Sequence, residues 1–169
     1  HFWDLRLGLG LLRGTLFRAL LERVLPVCTF EESPVPLALS VWDVLAWRTV
    51  VLDNGPLAPA IHASCALPVL FHPVHHAGRL YADGGIADRP GLAGVRNEER
   101  VLYHHLTGCS PWRRRKSPAL RVPERRGLEA IALSGLPRLG PFRLARGREA
   151  MERAADGARE ALARPLLRA

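Results

Sequence analysis

The sequence has few cysteines and no long apolar run. Its three cysteines, Cys28, Cys65 and Cys109, are widely spaced and form no C-x-x-C pair. This pattern argues against a disulfide framework and a cysteine-based zinc site, and it favours reduced, structural thiols in a cytoplasmic protein. No stretch approaches the roughly 18 consecutive apolar residues of a membrane span. The opening residues, HFWDLRLGLGLLRG, lack the early positive charges and the cleavage site of a signal peptide.

Lysine and methionine are nearly absent. Lys116 is the single lysine among 24 basic residues, and the formal net charge is +8. A positive balance favours anionic partners. However, arginine in place of lysine, together with much Ala, Gly, Leu and Pro, is typical of a GC-rich genome, which discounts the charge as a functional signal. The only methionine is Met151 and the chain begins with His1, so we expect the sequence to be N-terminally incomplete.

The composition is that of a globular domain, and the order of its elements is mixed. Apolar residues make up 48% of the chain, which is enough for one core. Apolar periodicity and turn residues predict helices over 15–25, 56–66 and 147–164, and strands over 36–44, 47–52, 79–82, 101–106 and 128–133. The first two strands are expected to form a hairpin or to be neighbours. Such an order favours an α/β domain over a bundle or a sandwich.

The most informative residue is Asp83, which directly follows the predicted strand at 79–82 and precedes Gly84 and Gly85. Two glycines let the backbone turn sharply and let another segment approach closely. A carboxylate at a strand end is well placed for chemistry in an α/β fold. An aspartate that merely caps N–H groups of a turn is the more common arrangement. From these three residues alone, both interpretations stay open.

A wider pattern surrounds this motif. The segment before it has the form A-S-x-A-L-P-x-x-F-x-P, in residues Ala63, Ser64, Ala66, Leu67, Pro68, Phe71 and Pro73. Gly78, Arg79 and Leu80 then lead into Asp83. In this order the matches resemble the patatin-like phospholipase family over roughly residues 2–92. The resemblance implies an α/β fold with a central, mostly parallel sheet flanked by helices. It also implies one domain over residues 1–169 whose N-terminal strands are missing.

The resemblance further implies a lipid acyl hydrolase that uses a Ser–Asp dyad and no cofactor or metal ion. In such a dyad, a serine attacks the ester carbonyl and an aspartate within hydrogen-bond reach accepts its proton. Asp83 is then the catalytic base, and Gly84 and Gly85 shape the turn that presents its carboxylate. The expected partner is a lipid or acyl-ester substrate, with peripheral contact to an anionic membrane surface. Nucleic acid is not an expected partner.

The family's nucleophile has no counterpart in this sequence. That serine lies in a G-x-S-x-G elbow between a strand and a helix, and the sequence contains no G-x-S-x-G. The nearest string, Gly108–Trp112, lacks the closing glycine and has proline where the helix should begin. Ser64 matches a family position that is not the nucleophile. We therefore expect the elbow and the glycine-rich oxyanion loop upstream of His1, and we expect this chain alone to be inactive.

Two other residue groups suggest weaker alternatives for the site. His72, His75 and His76 have the short spacings of zinc ligands, but no cysteine or carboxylate stands at ligand spacing, so a solvated loop is favoured. Asp83 and Asp88 are a carboxylate pair of the kind that glycosidases use. Asp88 is better explained as a residue that serves the turn.

Two rival function classes remain for the chain. One is a non-catalytic patatin-like scaffold that binds lipid or protein. The other is a basic anion-binding module built on Arg113–Lys116, which lies in a Pro- and Arg-rich loop beside Trp112. Such a run can bind phosphate backbones or anionic lipid headgroups. Of these, a lipid surface fits the resemblance better.

Overall fold

A computed structural model describes residues 4–5, 8–106, 120–137 and 144–163 of the 169-residue chain. The chain divides into two compact units, residues 1–95 and 96–169. Within the described residues, the strands and helices in chain order are β1 (Gly10–Leu12), α1 (Thr15–Val24), β2 (Leu39–Asp43), β3 (Arg48–Leu52), α2 (Leu57–Ser64), β4 (Val69–Phe71), β5 (Val74–His76), β6 (Arg79–Asp83), β7 (Val101–Leu106), β8 (Leu128–Leu133) and α3 (Gly147–Leu162).

The three helices and five strands predicted from periodicity are confirmed, and their ends differ from the prediction by a few residues. Three strands were not predicted, namely β1, β4 and β5. Each of them is three residues long, so none contains enough alternating positions for a period of two to register.

The strands of the first unit form two sheets. One has four strands in the order β3–β2–β6–β5, and every neighbouring pair in it is antiparallel. The other is the parallel pair β1–β4. The α/β class is confirmed. Among the described strands, however, the expected parallel pairing occurs only between β1 and β4 and, in the second unit, between β7 and β8. The reason is that short turns join β2 to β3 and β5 to β6, whereas parallel neighbours need a longer crossover.

The core of the first unit lies between the four-stranded sheet and α2. Buried side chains of the sheet, such as Val41 and Tyr81, pack on the helix beside Leu12 and Phe71. On the helix side, Ala63 has no exposed surface, and its small side chain lets the helix approach the strands closely. The helix thereby supports β2, β5 and β6 from beneath.

Helix α1 begins where the sequence predicted, but its cap comes from a distant residue. The Asp4 carboxylate accepts hydrogen bonds from the backbone N–H groups of Gly14, at 2.9 Å, and Thr15, at 2.6 Å. These N–H groups have no partner within the helix, so the carboxylate satisfies them and complements the helix dipole. Gly14 has a φ of 77°, a left-handed conformation that suits glycine.

The second unit contains β7, β8 and α3. The two strands pair in parallel, in register from Val101 with Leu128 to Leu106 with Leu133. Adjacent residues of β7 face opposite sides, so His105 is buried while His104 is exposed. Helix α3 packs on β8 at Gly157, where an added Cβ would stand 2.9 Å from the Leu133 side chain. Among the described helices of the whole chain, none is long and apolar enough to cross a membrane.

Candidate active site

Asp83 lies where the sequence places it, at the end of β6. It is the last residue of the strand and the N-cap of a 3₁₀ turn over Gly84–Ile86. It pairs with Val41 on β2. Its backbone N–H donates a hydrogen bond to the carbonyl oxygen of Ala66 at 3.0 Å, just beyond the end of α2. Two neighbouring elements therefore fix the backbone of this residue.

The Asp83 carboxylate is half-buried and bonded to its own turn. Its Oδ1 accepts a hydrogen bond from the Gly85 N–H at 2.6 Å. Burial raises the pKa of Asp83 above its ordinary value, and the Gly85 hydrogen bond opposes that shift in part. Asp83 therefore caps its turn, as one of the two interpretations of the sequence predicted. A carboxylate with a raised pKa also holds a proton more strongly, which is the property that a general base requires.

The two glycines after Asp83 have different roles. A Cβ added to Gly84 would stand 2.2 Å from the carbonyl oxygen of Ser40 on β2. Only glycine permits the backbone to lie against that strand. A Cβ added to Gly85 would instead stand 2.9 Å from Oδ1 of Asp83. Gly84 therefore serves the packing of the turn, and Gly85 leaves room for the carboxylate itself.

A network of polar groups holds the loop that follows the turn. Asp88 accepts hydrogen bonds from the Ser40 hydroxyl and from the backbone N–H groups of Leu92, at 3.0 Å, and Ala93, at 2.9 Å. The Ser64 hydroxyl donates to the Ser40 carbonyl oxygen at 2.9 Å. Asp88 thus serves the loop, as expected, and Ser64 is engaged in a structural bond behind the site.

Cys65 is a neighbour of Asp83 that sequence reasoning did not connect with the site. The residue as a whole is exposed at the end of α2, but protein atoms surround much of its thiol. Surrounding protein atoms and, secondarily, the Asp83 carboxylate raise the pKa of this thiol. The two groups therefore interact electrostatically. No local pattern reveals this pairing, because it arises from the contact between the end of α2 and the end of β6.

The remaining sequence candidates are dispersed. His75 and His76 lie on β5, so the prediction of a loop is wrong for these two residues, because β5 pairs along its whole length with β6. Within the described ranges, no group of three His, Cys, Asp or Glu side chains is arranged to hold a metal ion. Cys109, the string Gly108–Trp112 and the basic run Arg113–Lys116 lie outside the described residues.

The fold and this site define an α/β protein that presents a half-buried carboxylate at a strand tip through a tight Gly-Gly turn. The family model of patatin-like phospholipases matches residues 2–94, which is more than half of the chain. The chain belongs to the patatin-like phospholipase family, and the resemblance noted in the sequence is confirmed.

Curated relatives are found among mycobacteria. An uncharacterized NTE family protein of Mycobacterium bovis is 37% identical over 102 residues, which cover 59% of this chain and 28% of the relative. NTE family proteins of two Mycobacterium tuberculosis strains, CDC 1551 and H37Rv, match with the same identity and coverage. The matched segment therefore spans less than a third of each relative's length.

Proposed function

We propose that this chain is part of a lipid acyl hydrolase that cleaves acyl esters with a Ser–Asp dyad in which Asp83 is the base. Membership of the patatin-like phospholipase family supports the lipid substrate class. The observation that carries the assignment of the base is the half-buried Asp83 carboxylate, held at the end of β6 with a raised pKa. Burial and a fixed backbone at a strand tip are what a site needs to position a proton acceptor.

The proposed reaction has two stages. The Asp83 carboxylate takes the proton of a serine hydroxyl while the serine oxygen attacks the ester carbonyl carbon. Backbone N–H groups stabilise the resulting oxyanion. The C–O bond to the alcohol then breaks, and the alcohol leaves with the proton held by Asp83. Water next attacks the acyl-serine, its proton passes through Asp83, and the fatty acid and the free serine are released.

The serine and the oxyanion loop are proposed to come from residues outside this sequence, which contains no G-x-S-x-G elbow. All 169 residues are proposed to belong to a single patatin-like domain. The hydrolase is proposed to act in the cytoplasm, in peripheral contact with an anionic membrane surface. No cofactor or metal ion has a role in the proposed chemistry.

The test compares two Asp→Asn variants in the product of the complete reading frame, with a short-chain nitrophenyl ester and a phospholipid as substrates. Asp83→Asn keeps the size of the side chain and an oxygen for the Gly85 N–H. It should lower the rate by about a hundredfold or more, the usual contribution of a general base. Asp53→Asn is the matched control, because Asp53 is exposed and, among the described residues, its side chain bonds to the adjacent Asn54 alone. Full activity of Asp83→Asn would contradict the proposal.

A second assay uses this chain alone. It should not hydrolyse either ester, because the nucleophile is missing. Hydrolysis by the isolated chain that Asp83→Asn abolishes would show that a serine of this chain is the nucleophile. A complete reading frame that lacks an elbow serine, and whose product binds lipid without hydrolysis, would favour the non-catalytic scaffold instead.

A further inference from the structure

The turn that joins β2 to β3 presents two large apolar side chains to solvent. Leu45 is 79% exposed and Trp47 is 78% exposed, the highest values for large hydrophobic residues in the part of the chain that the structure describes. Isolated exposed apolar residues are common. Two of them within three residues of one turn, one of them a tryptophan, point to a contact surface.

A buried carboxylate holds this turn in one conformation. Asp43 is 2% exposed, and its Oδ1 accepts hydrogen bonds from the N–H groups of Leu45, at 3.1 Å, and Ala46, at 2.9 Å. Its Oδ2 accepts a hydrogen bond from Arg79 at 2.8 Å. The turn is therefore a rigid part of the sheet, and its exposed side chains are presented in a fixed position.

The backbone at Trp47 is unusual for such a residue. Its φ is 51°, in the left-handed region that bulky side chains rarely adopt. The Trp47 ring contacts Trp42 edge to face, with centroids 6.1 Å apart. A glycine or an asparagine would satisfy this backbone with less strain. The backbone of the turn does not favour tryptophan at this position. A role for Trp47 outside the fold would explain why tryptophan stands there.

Two arginines lie on the strands next to this turn. Arg48 lies opposite Asp43 in the β2–β3 hairpin, and Arg79 lies at the start of the neighbouring β6. A hydrogen bond from Val44 N–H to the Leu80 carbonyl oxygen, at 2.9 Å, ties the two strand ends together. Both arginines are exposed, whereas the only carboxylate described in this turn, that of Asp43, is buried. Arg79 is paired with Asp43, so Arg48 supplies the surplus positive charge at this end of the sheet. The turn therefore offers exposed apolar side chains next to a net positive charge.

We propose that this surface, the hairpin tip of Leu45, Trp47, Arg48 and Arg79, docks on an anionic lipid bilayer. Tryptophan and leucine enter the headgroup region readily, and arginine binds phosphate. A stable protein interface needs roughly 800 Å² on each partner, and two apolar side chains provide much less. A bilayer requires only a few inserted side chains together with charge attraction. This inference rests on the membrane contact put forward in the proposed function and names the residues that make it, but it does not depend on the chemistry proposed for Asp83.

The test measures binding of the complete reading frame's product to sedimented vesicles of phosphatidylcholine with phosphatidylserine, and to vesicles of phosphatidylcholine alone. The wild-type protein should bind the anionic vesicles more strongly, and added salt should weaken this binding. The double variant Leu45→Asn/Trp47→Asn should reduce the partition coefficient by about tenfold or more, because it removes the inserted apolar groups. Asparagine tolerates the left-handed backbone, so the thermal melt should show an intact fold.

The matched control replaces two exposed apolar residues elsewhere. Leu16 and Val24 lie on the outer face of α1, where they are 41% and 60% exposed. Leu16→Asn/Val24→Asn should bind vesicles like the wild type, and so should Asp83→Asn, since hydrolysis and docking are separate. The proposal is overturned if the hairpin tip variant binds as the wild type does, if only the α1 variant loses binding, or if the wild type binds neither kind of vesicle. Sedimentation equilibrium in which the hairpin tip variant alone loses self-association would also overturn it, in favour of a contact between copies of the chain.

Discussion

The Cα of Gly84 lies against the backbone of Ser40, so closely that an added Cβ would stand 2.2 Å from the Ser40 carbonyl oxygen. This contact joins the turn after β6 to the middle strand β2. The turn holds Asp83, so any shift of Gly84 away from β2 also moves the carboxylate. The packing of two main-chain segments thus sets the position of the proposed base.

Alanine at the two glycines of the turn should have separable effects. Gly84→Ala places a methyl group against backbone that cannot yield easily, and it should lower the free energy of unfolding by about 1–3 kcal/mol. Gly85→Ala meets Oδ1 of Asp83, at 2.9 Å, a side-chain atom that can rotate away. It should lower hydrolysis by the complete protein more than it lowers stability. Urea unfolding and ester hydrolysis of both variants check this, and equal stability losses would contradict the assignment.

Asp83→Asn should stabilise the fold while it removes activity. Burial raises the pKa of Asp83, so the folded state prefers the protonated form. The stability that comes from this form is complete below the ordinary pKa of 3.8 and is lost as the pH rises through the raised value. A neutral asparagine should therefore raise the melting temperature near neutral pH and have little effect in acid. A lower melting temperature near neutral pH would contradict the sign of the shift.

Cys65 can report the charge of Asp83. The Asp83 carboxylate contributes to the raised pKa of the Cys65 thiol, although burial is the larger cause. In a chain with Cys28 and Cys109 replaced by alanine, Asp83→Asn should lower the pKa of Cys65 and speed its alkylation by iodoacetamide near neutral pH, because the thiolate is the reactive form. Asp53→Asn should leave the alkylation rate unchanged. An unchanged pH profile in the Asp83 variant would mean that the two groups do not interact.

His62 should make the first unit sensitive to acid. Its ring is buried against Phe17 and Phe71, with centroids 5.8 and 6.1 Å away. Among the described residues its Nε2 has no hydrogen-bond partner. Burial, and after it the charge of Arg18, lowers the pKa of His62, while Asp4 opposes the shift. The stability that comes from neutral His62 is thus complete above the ordinary pKa of 6.5 and is lost as the pH falls through the lowered value.

The measurement for His62 is the urea midpoint near neutral pH and at about pH 5. Between neutral pH and about pH 5, the urea midpoint of His62→Leu should fall less than the urea midpoint of the wild type. His75→Asn is the control, because His75 is exposed on β5, and it should behave like the wild type. The prediction fails if His62→Leu and the wild type lose the same amount.

The longer helices and strands and the position of Asp83 at a strand end could be predicted from the sequence. The side chains and backbone that surround Asp83 could not. The strand over 79–83 and its Asp-Gly-Gly ending form a local pattern, so both could be placed in advance. The contacts of Ser40 with Gly84 and Asp88 join residues more than 40 positions apart, and no spacing rule relates such residues. The cap that Asp4 provides for α1 could not be predicted either, because Asp4 lies well before the helix and not at the residue next to its first turn. Local signals predict elements, whereas long-range packing determines which side chains surround the site.

The distance between the Asp83 carboxylate and the nucleophilic serine hydroxyl decides whether Asp83 is the base. It can be measured in an experimental structure of the complete reading frame's product. If Asp83 is the base, a carboxylate oxygen of Asp83 and the serine Oγ should be joined by a hydrogen bond of about 2.6–3.2 Å. A serine Oγ that lies beyond hydrogen-bond reach of Asp83, or that bonds to another base, would contradict this assignment.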